Sequence, residues 1–177
     1  HIYARNIFMK DIVDEAIFFD MYYFVKFATD GELDMRPGVN EGTPIFRNMH
    51  FENIVCNGAQ KGVFIRGLPE MPVSNITIKN LVLQSEKGIE LIDANGIRIK
   101  NADLKTQETR PVVLVDNSSQ LHFDNLQYKA DTDLLFEITG ARSQDIKVIN
   151  TDTNKAKVRV EYGKGAPEKK LNLFSFK

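Results

Sequence analysis

A short motif recurs along this 177-residue chain and constrains its fold more than any other feature. Each copy has the pattern apolar-x-apolar-x-Asn and ends at Asn53 (MHFEN), Asn80 (ITIKN), Asn101 (IRIKN), Asn125 (LHFDN) or Asn150 (IKVIN). Successive copies lie 27, 21, 24 and 25 residues apart, and an earlier copy (IYARN) ends at Asn6. A period of this length is typical of a solenoid, in which each repeat forms one coil that stacks on the next.

A second short apolar run accompanies each copy, about ten residues past the asparagine. These runs are AIFF (16–19), GVFI (62–65), GIELI (88–92), PVVLV (111–115), LLFEI (134–138) and KVRV (157–160). Turn residues separate the runs, and helical periodicity never extends beyond about two turns. Two short strands per repeat predict an all-β fold, a parallel β-helix of about six coils over residues 1–160.

The recurring asparagine has a physical role in such a fold. Asparagine tolerates the left-handed backbone conformation that a sharp corner requires, and its amide can bond to the same residue one coil away. A leucine-rich repeat also places asparagine after a strand, but a helix or 3₁₀ turn would follow it. Here a second β-like run follows, which favours the β-helix.

Two segments depart from the repeat. Residues 24–44 form a long polar insertion with Gly and Pro, and loops of that length are usually functional or mobile. Residues 161–177 leave the period and end in several apolar residues, which predicts a cap over the last coil.

Composition excludes some function classes. The net charge of −1 and the pI near 6.4 predict no nucleic-acid partner, and no apolar run is long enough for a membrane-spanning helix. Cys56 is the single cysteine and is expected to be a buried apolar residue. The histidines and carboxylates show no metal-ligand spacing, so neither a metal nor a cofactor is predicted.

The order of three strings resembles the C-terminal part of glycoside hydrolase family 28, the polygalacturonase-like pectinases of bacteria. They are IYARNIFMKDIVDEAIFFDMYY (2–23), TPIFRNMHFENIVCNGA (43–59) and IRGLPEMPVSNITIKNLVL (65–83). The resemblance covers roughly residues 1–150. It implies a right-handed, single-stranded, pectin-lyase-like parallel β-helix, a galacturonate-containing polysaccharide as substrate, and inverting hydrolysis by separated carboxylates. It also implies a secreted or periplasmic protein, although this chain contains no signal peptide.

The family's catalytic signals are Asn-x-Asp, Asp-Asp, Gly-His-Gly and Arg-x-Lys on consecutive coils. This chain has no Asp-Asp and no Gly-His-Gly. Its two Asn-x-Asp strings begin at the structural asparagines Asn101 and Asn150, and Arg98-Ile99-Lys100 occupies outward, solvated strand positions. We therefore predict no catalytic residue in this chain. The catalytic aspartates are expected upstream of His1, in coils of a longer parent enzyme, and the chain alone is expected to be inactive.

Four residues are implied as a substrate-binding set. In the family, a tyrosine at the end of the strand after the catalytic coils lines the sugar site, and Tyr22 and Tyr23 match that region. Aromatic faces stack on sugars, and a phenol can hydrogen-bond to a hydroxyl. Lys26 and Arg36 in the insertion could offer cations to uronate carboxylates.

Two other functions stay open: a polysaccharide-binding module that cleaves nothing, and a structural or adhesive β-solenoid. If the chain is a solenoid cut through its middle, its first coil exposes unpaired strand edges and a bare core face. The sequence therefore also predicts weak self-association through the N-terminal coil.

Overall fold

The computed structural model describes residues 1–22, 38–163, 165–167 and 171–174, the last of these for the backbone alone. Within these ranges the chain is all-β and completes about five turns of a parallel β-solenoid. Its one described helix is a single 3₁₀ turn, Thr153–Lys155. None of the described residues forms a helix with the length and apolar character needed to cross a membrane.

Strands alternate between two parallel sheets as the chain winds. The first sheet contains β1 (Ile2–Lys10), β3 (Arg47–Asn57), β5 (Val73–Ser85), β7 (Ala94–Asn95), β8 (Arg98–Thr106), β10 (Ser119–Tyr128), β12 (Gln144–Ile149) and β14 (Leu171–Phe174). The second contains β2 (Glu15–Asp20), β4 (Lys61–Arg66), β6 (Lys87–Ile92), β9 (Val113–Asp116), β11 (Thr132–Thr139) and β13 (Ala156–Tyr162). Each of the six apolar runs found in the sequence overlaps a strand of the second sheet. The predicted parallel β-helix is confirmed.

The asparagine ladder forms over most of its predicted length. Asn53 donates its side-chain amide to the Oδ1 of Asn6 at 2.8 Å, and Asn80 donates to Asn53 at 2.9 Å. Asn101 and Asn125 continue the series at 3.1 Å each. All of these residues have φ between 55° and 58°, the left-handed conformation expected at a corner.

The ladder stops one coil earlier than the sequence predicted. Asn150 donates its amide to the Asp124 carboxylate at 2.7 Å instead of to Asn125. Asn125 instead accepts a hydrogen bond from Gln127 on its own strand at 2.9 Å. A carboxylate is the stronger acceptor, and charge-assisted hydrogen bonds are roughly twice as strong as neutral ones. Asp124 therefore outcompetes Asn125 for the Asn150 amide.

A second line of left-handed residues precedes the marker asparagines by five positions in the sequence. It consists of Asn48, Asn75, Gly96, Gln120 and Asp145, with φ from 53° to 68°. Each coil thus bends twice along the first sheet, with a four-residue segment between the bends. This second line was not predicted from the sequence.

The core fills the space between the two sheets. Inward residues of the four-residue segments, such as Ile76, Ile78 and Phe123, are completely buried. Phe123 meets Phe136 of the second sheet edge-to-face, with ring centroids 5.3 Å apart. Cys56 is 1% exposed, as predicted, and burial raises the pKa of its thiol. The hydrophobic alternation read from the sequence therefore sets the side on which every central strand packs.

The C-terminal residues extend the first sheet. β14 pairs in parallel with β12, with Ile146 opposite Leu171 and Val148 opposite Leu173. β13 reaches Tyr162, two residues past the predicted end of the coils. The predicted cap at 161–177 thus contributes one more strand to the repeat, and this strand covers the edge of β12.

The N-terminal coil is the least covered part of the described chain. β1 and β2 are the end strands of their sheets. Ile7 is 37% exposed, whereas Ile54, its register partner on the next coil, is 1% exposed. An apolar recess of about 300 Å³ opens here, lined by Ile7, Met9, Ala16, Ile17, Phe18, Phe19, Phe51 and Ile54.

We propose that the chain self-associates weakly through this coil, and Ile7→Lys is expected to reduce the association. A lysine at this position would place a charge against the apolar recess and oppose its burial. Val82→Lys is the matched control, because Val82 is also 37% exposed but lies on a central strand. Sedimentation velocity over a concentration series measures the effect. A purely monomeric wild-type chain at high concentration would contradict the proposal.

Candidate functional site: a cleft at the end of the second sheet

A polar cleft lies where the strands of the second sheet end. Its volume is about 250 Å³, and it is lined by Tyr22, Arg66, Pro69, Ile92, Asp93, Asp116, Asn117 and Arg142. These residues come from five coils of the chain. The cleft contains two guanidinium groups, two carboxylates, one amide and one phenol.

The parallel register explains why these residues meet. Asp20, Arg66, Ile92, Asp116 and Thr139 are the last residues of β2, β4, β6, β9 and β11, and they stack in register along the solenoid axis. The chain turns immediately afterwards, and the backbone N–H of Asp93 donates to the Asp116 carbonyl at 3.1 Å. Side chains at the ends of neighbouring strands therefore point into one shared turn region.

Arg66 is held in place by Asp20 on the coil below. Its Nε donates to Oδ1 of Asp20 at 2.9 Å and its Nη2 to Oδ2, a two-point ion pair. Burial alone would raise the pKa of the Asp20 carboxyl. The Arg66 guanidinium and the Tyr22 backbone N–H outweigh that effect and lower the pKa. Asp20 is therefore ionised at neutral pH, and it fixes the orientation of the guanidinium.

Arg142 lies in the turn after β11 and reaches the cleft from the last of its five coils. Its Nη2 donates to Oδ1 of Asp93, and its Nη1 donates to the Pro69 carbonyl at 3.2 Å. Asp93 is 6% exposed, so the carboxylate of this ion pair is largely removed from water, whereas the Arg142 side chain stays partly exposed. Asp116 accepts a hydrogen bond from the Thr139 hydroxyl at 2.7 Å. Both carboxylates of the cleft are thus engaged by neighbouring side chains.

Tyr22 supplies the aromatic ring of the cleft. The Arg66 guanidinium lies 4.9 Å from the centre of the ring, within the range of a cation–π contact. Partial burial raises the pKa of the Tyr22 phenol, and the nearby Asp93 and Glu70 carboxylates raise it further. The phenol therefore stays protonated at neutral pH and can both donate and accept a hydrogen bond.

The loop between β4 and β5 forms one wall of the cleft. Gly67 begins this loop, and a Cβ at this position would lie 2.3 Å from the Asp93 carbonyl oxygen. Only glycine therefore lets the loop approach the next coil this closely. Further along, Glu70 has a buried carboxylate oxygen, Oε2, with no hydrogen-bond donor among the described residues. The wall therefore contains an unsatisfied acceptor.

The sequence-predicted binding set is only partly described. Tyr22 is half-buried and lines the cleft. Tyr23, Lys26 and Arg36 lie outside the described residues. The two arginines and two aspartates of the cleft were not predicted from the sequence. The available signal was position, because Arg66, Asp93 and Asp116 each lie at the end of a second apolar run or one residue past it.

The Arg98-Ile99-Lys100 string lies elsewhere. Both cations belong to β8 in the first sheet and are exposed, while Ile99 between them is buried. Lys100 pairs with Asp124 on the next coil, with Nζ 3.1 Å from the carboxylate. Neither residue lines the cleft.

Among residues 1–22, 38–163 and 165–167, no cluster of three or more His, Cys, Asp or Glu side chains could hold a metal ion. No protein-family model, curated protein or solved structure matches this chain.

Proposed function

We propose that this chain is the C-terminal β-helix part of a glycoside hydrolase that acts on galacturonate-containing polysaccharide by inverting hydrolysis. In this proposal the catalytic aspartates lie upstream of His1, and the cleft contributes sugar-binding groups. The observation that carries the proposal is the convergence of Tyr22, Arg66 and Arg142 in one cleft at the end of the second sheet.

The chemistry of the cleft suits a sugar. A sugar hydroxyl donates one hydrogen bond and accepts others, so it requires fixed donors and fixed acceptors side by side. Each arginine has five N–H donors, and only some of them are used in the contacts to Asp20, Asp93 and Pro69. The phenol of Tyr22 and the side-chain amide of Asn117 complete a mixed set. The ring of Tyr22 offers an apolar surface beside these groups.

The charges of the cleft determine how a uronate carboxylate could bind there. Asp20 and Asp93 each neutralise one arginine, and Asp116 adds a third carboxylate, so the cleft has no surplus of positive charge. A uronate carboxylate would therefore bind through two-point hydrogen bonding to the remaining guanidinium N–H groups rather than through net attraction. Geometry of this kind is specific to arginine, because lysine has no planar fork.

Arg142→Lys is expected to weaken the binding of trigalacturonate about tenfold, since a hydrogen bond to a charged group contributes roughly 1.5–3 kcal/mol. The substitution keeps the positive charge near Asp93, so the fold is retained. Arg159→Lys on β13 is the matched control, because Arg159 is exposed and lies outside the cleft. Isothermal titration calorimetry measures both variants against the wild-type chain.

The same samples test where the catalytic groups lie. We expect no reducing sugar to be released from polygalacturonate by the 177-residue chain. Measured turnover would contradict the placement of the catalytic aspartates upstream. Equal affinity of the wild type and Arg142→Lys for trigalacturonate would contradict the role of the cleft.

A polysaccharide-binding module without catalytic function is the second candidate. It is favoured by the engagement of both cleft carboxylates, since Asp93 pairs with Arg142 and Asp116 accepts from Thr139. Inverting hydrolysis requires one carboxyl group as acid and another as base for the attacking water. If a longer parent chain also binds but does not cleave the polymer, this second function replaces the first.

A further inference from the structure

The first sheet presents a basic face to solvent. This face consists of the outward positions that precede the asparagine ladder on six strands. They are Tyr3 and Arg5, His50 and Glu52, Thr77 and Lys79, Arg98 and Lys100, His122 and Asp124, and Lys147 and Ile149. It carries five Lys or Arg side chains against two carboxylates, whereas the whole chain has a net charge of −1. Positive charge is therefore concentrated on one face of a slightly acidic protein.

The cations on this face follow the solenoid axis. Arg98, His122 and Lys147 are register partners on β8, β10 and β12, so they form a row with one basic side chain per coil. Adjacent parallel strands are about 4.8 Å apart, which sets the spacing of the row. A recess of about 340 Å³ lies along this row, lined by Arg98, Gln120, Leu121, His122, Asp145 and Lys147.

Most of the positive charge in the row is available to a ligand. On the adjacent row, Arg5 lies 3.5 Å from Glu52 and Lys100 lies 3.1 Å from Asp124, so two cations are already paired. Arg98 and Lys147, in contrast, have no carboxylate within 4.0 Å of their nitrogens among the described residues. Both side chains are exposed, and a ligand could reach them without a rearrangement of the fold.

We propose that the recess along Arg98, His122 and Lys147 binds a linear carboxylated polysaccharide that lies along the solenoid axis. It is a second site, on a different sheet from the cleft. The choice of polymer rests on the proposed function. The assignment of the row as a binding site depends only on strand register and charge. A site of this kind holds the polymer on the outer wall of the solenoid, apart from the groups that line the cleft.

The charge density of the row favours this polymer over a nucleic acid. Duplex DNA carries one negative charge per about 1.7 Å of helix axis, or one per about 3.4 Å along each of its two strands. The row offers at most one cation per coil, and Asp145 borders the same recess. A polymer with one carboxylate per sugar ring places its charges further apart and meets less repulsion from Asp145.

The test compares two double variants with equal changes in net charge. Arg98→Gln/Lys147→Gln removes two cations from the row. Lys129→Gln/Lys155→Gln removes two exposed lysines that lie outside the basic face. Affinity for galacturonate hexasaccharide is measured by calorimetry at low and at physiological salt, with a neutral galactose hexasaccharide and a single-stranded oligonucleotide as comparison ligands. Arg142→Lys is included to report on the cleft separately.

We expect the row variant to bind the galacturonate oligomer at least fivefold more weakly at low salt, while the Lys129/Lys155 variant changes less than twofold. Equal losses of affinity in both double variants would mean that net charge alone explains the effect, and would overturn the proposal. Unchanged affinity in the row variant would also overturn it. Oligonucleotide binding as tight as galacturonate binding would overturn the choice of polymer. A loss in the row variant with no effect of Arg142→Lys would refute the proposed cleft but leave this second site standing.

Discussion

Phe123→Ala is expected to lower the free energy of unfolding by about 3–5 kcal/mol, the usual cost of truncating a buried phenylalanine. Phe123 is completely buried on β10, where Ile99 and Val148 are its register partners on the neighbouring coils. Its ring also meets Phe136 across the core at 5.3 Å. The cavity would therefore open between the two sheets, where neighbouring coils cannot collapse without breaking their register. Urea unfolding followed by circular dichroism measures the change.

Phe8→Ala is the matched control for this experiment. Phe8 is 70% exposed on the first coil, so its truncation is expected to change the free energy of unfolding by less than about 0.5 kcal/mol. Because each coil of a solenoid contacts only its neighbours, the Phe123 defect should be felt most in the adjacent coils. Hydrogen exchange should thus show lost protection in β8 and β12. Equal destabilisation by the two substitutions would contradict the assigned core.

Asn80→Ala is expected to cost about 2–5 kcal/mol of stability, a large effect for a residue on the surface. Asn80 has φ of 55°, and an alanine forced into this conformation costs roughly 1–2 kcal/mol. The substitution also removes a donor to Asn53 at 2.9 Å and an acceptor for Asn101 at 3.1 Å. Each such hydrogen bond contributes about 0.5–1.5 kcal/mol. Chemical denaturation measures the sum.

Asn80→Gly separates the two contributions. Glycine adopts positive φ without steric cost but has no amide, so it loses the ladder bonds and keeps the corner. We expect Asn80→Gly to be destabilised by about 1 kcal/mol less than Asn80→Ala. If the glycine and alanine variants are equally stable, the left-handed conformation contributes nothing. If Asn80→Gly matches the wild type, the ladder bonds contribute nothing.

Much of the fold could be predicted because every coil of a solenoid repeats the same local pattern of strands and turns. The period, the two strands per coil and the inward side of each strand all follow from residue spacing, and the asparagine ladder follows from the marker residue itself. The second line of left-handed residues was missed for a physical reason. Its positions contain Asn, Gly and Asp, which tolerate positive φ, but also Gln120, which has no such preference, so they form no recognisable string.

Only one residue of the cleft, Tyr22, could be predicted from the sequence. Tyr22 was identified through a resemblance to a family of pectinases, on a string that places it at the end of a strand. Arg142 and its partner Asp93 are 49 positions apart, and Arg66 and Asp20 are 46 apart. No local pattern marks such pairs. They become visible when the second apolar runs are aligned by their ends, because register then brings those ends together.

Residue spacing alone predicts a parallel β-helix, because alternation and a fixed period leave an apolar face that only stacked coils can bury. The asparagines also indicate where most corners lie. Which charged side chains are paired and which are free is visible only in the folded chain. Asp93 and Asp20 neutralise the arginines of the cleft, whereas Arg98 and Lys147 on the outer face have no carboxylate within 4.0 Å among the described residues. Pairing of this kind depends on distances of a few ångströms between coils, and those distances are set by strand register rather than by neighbours in the chain.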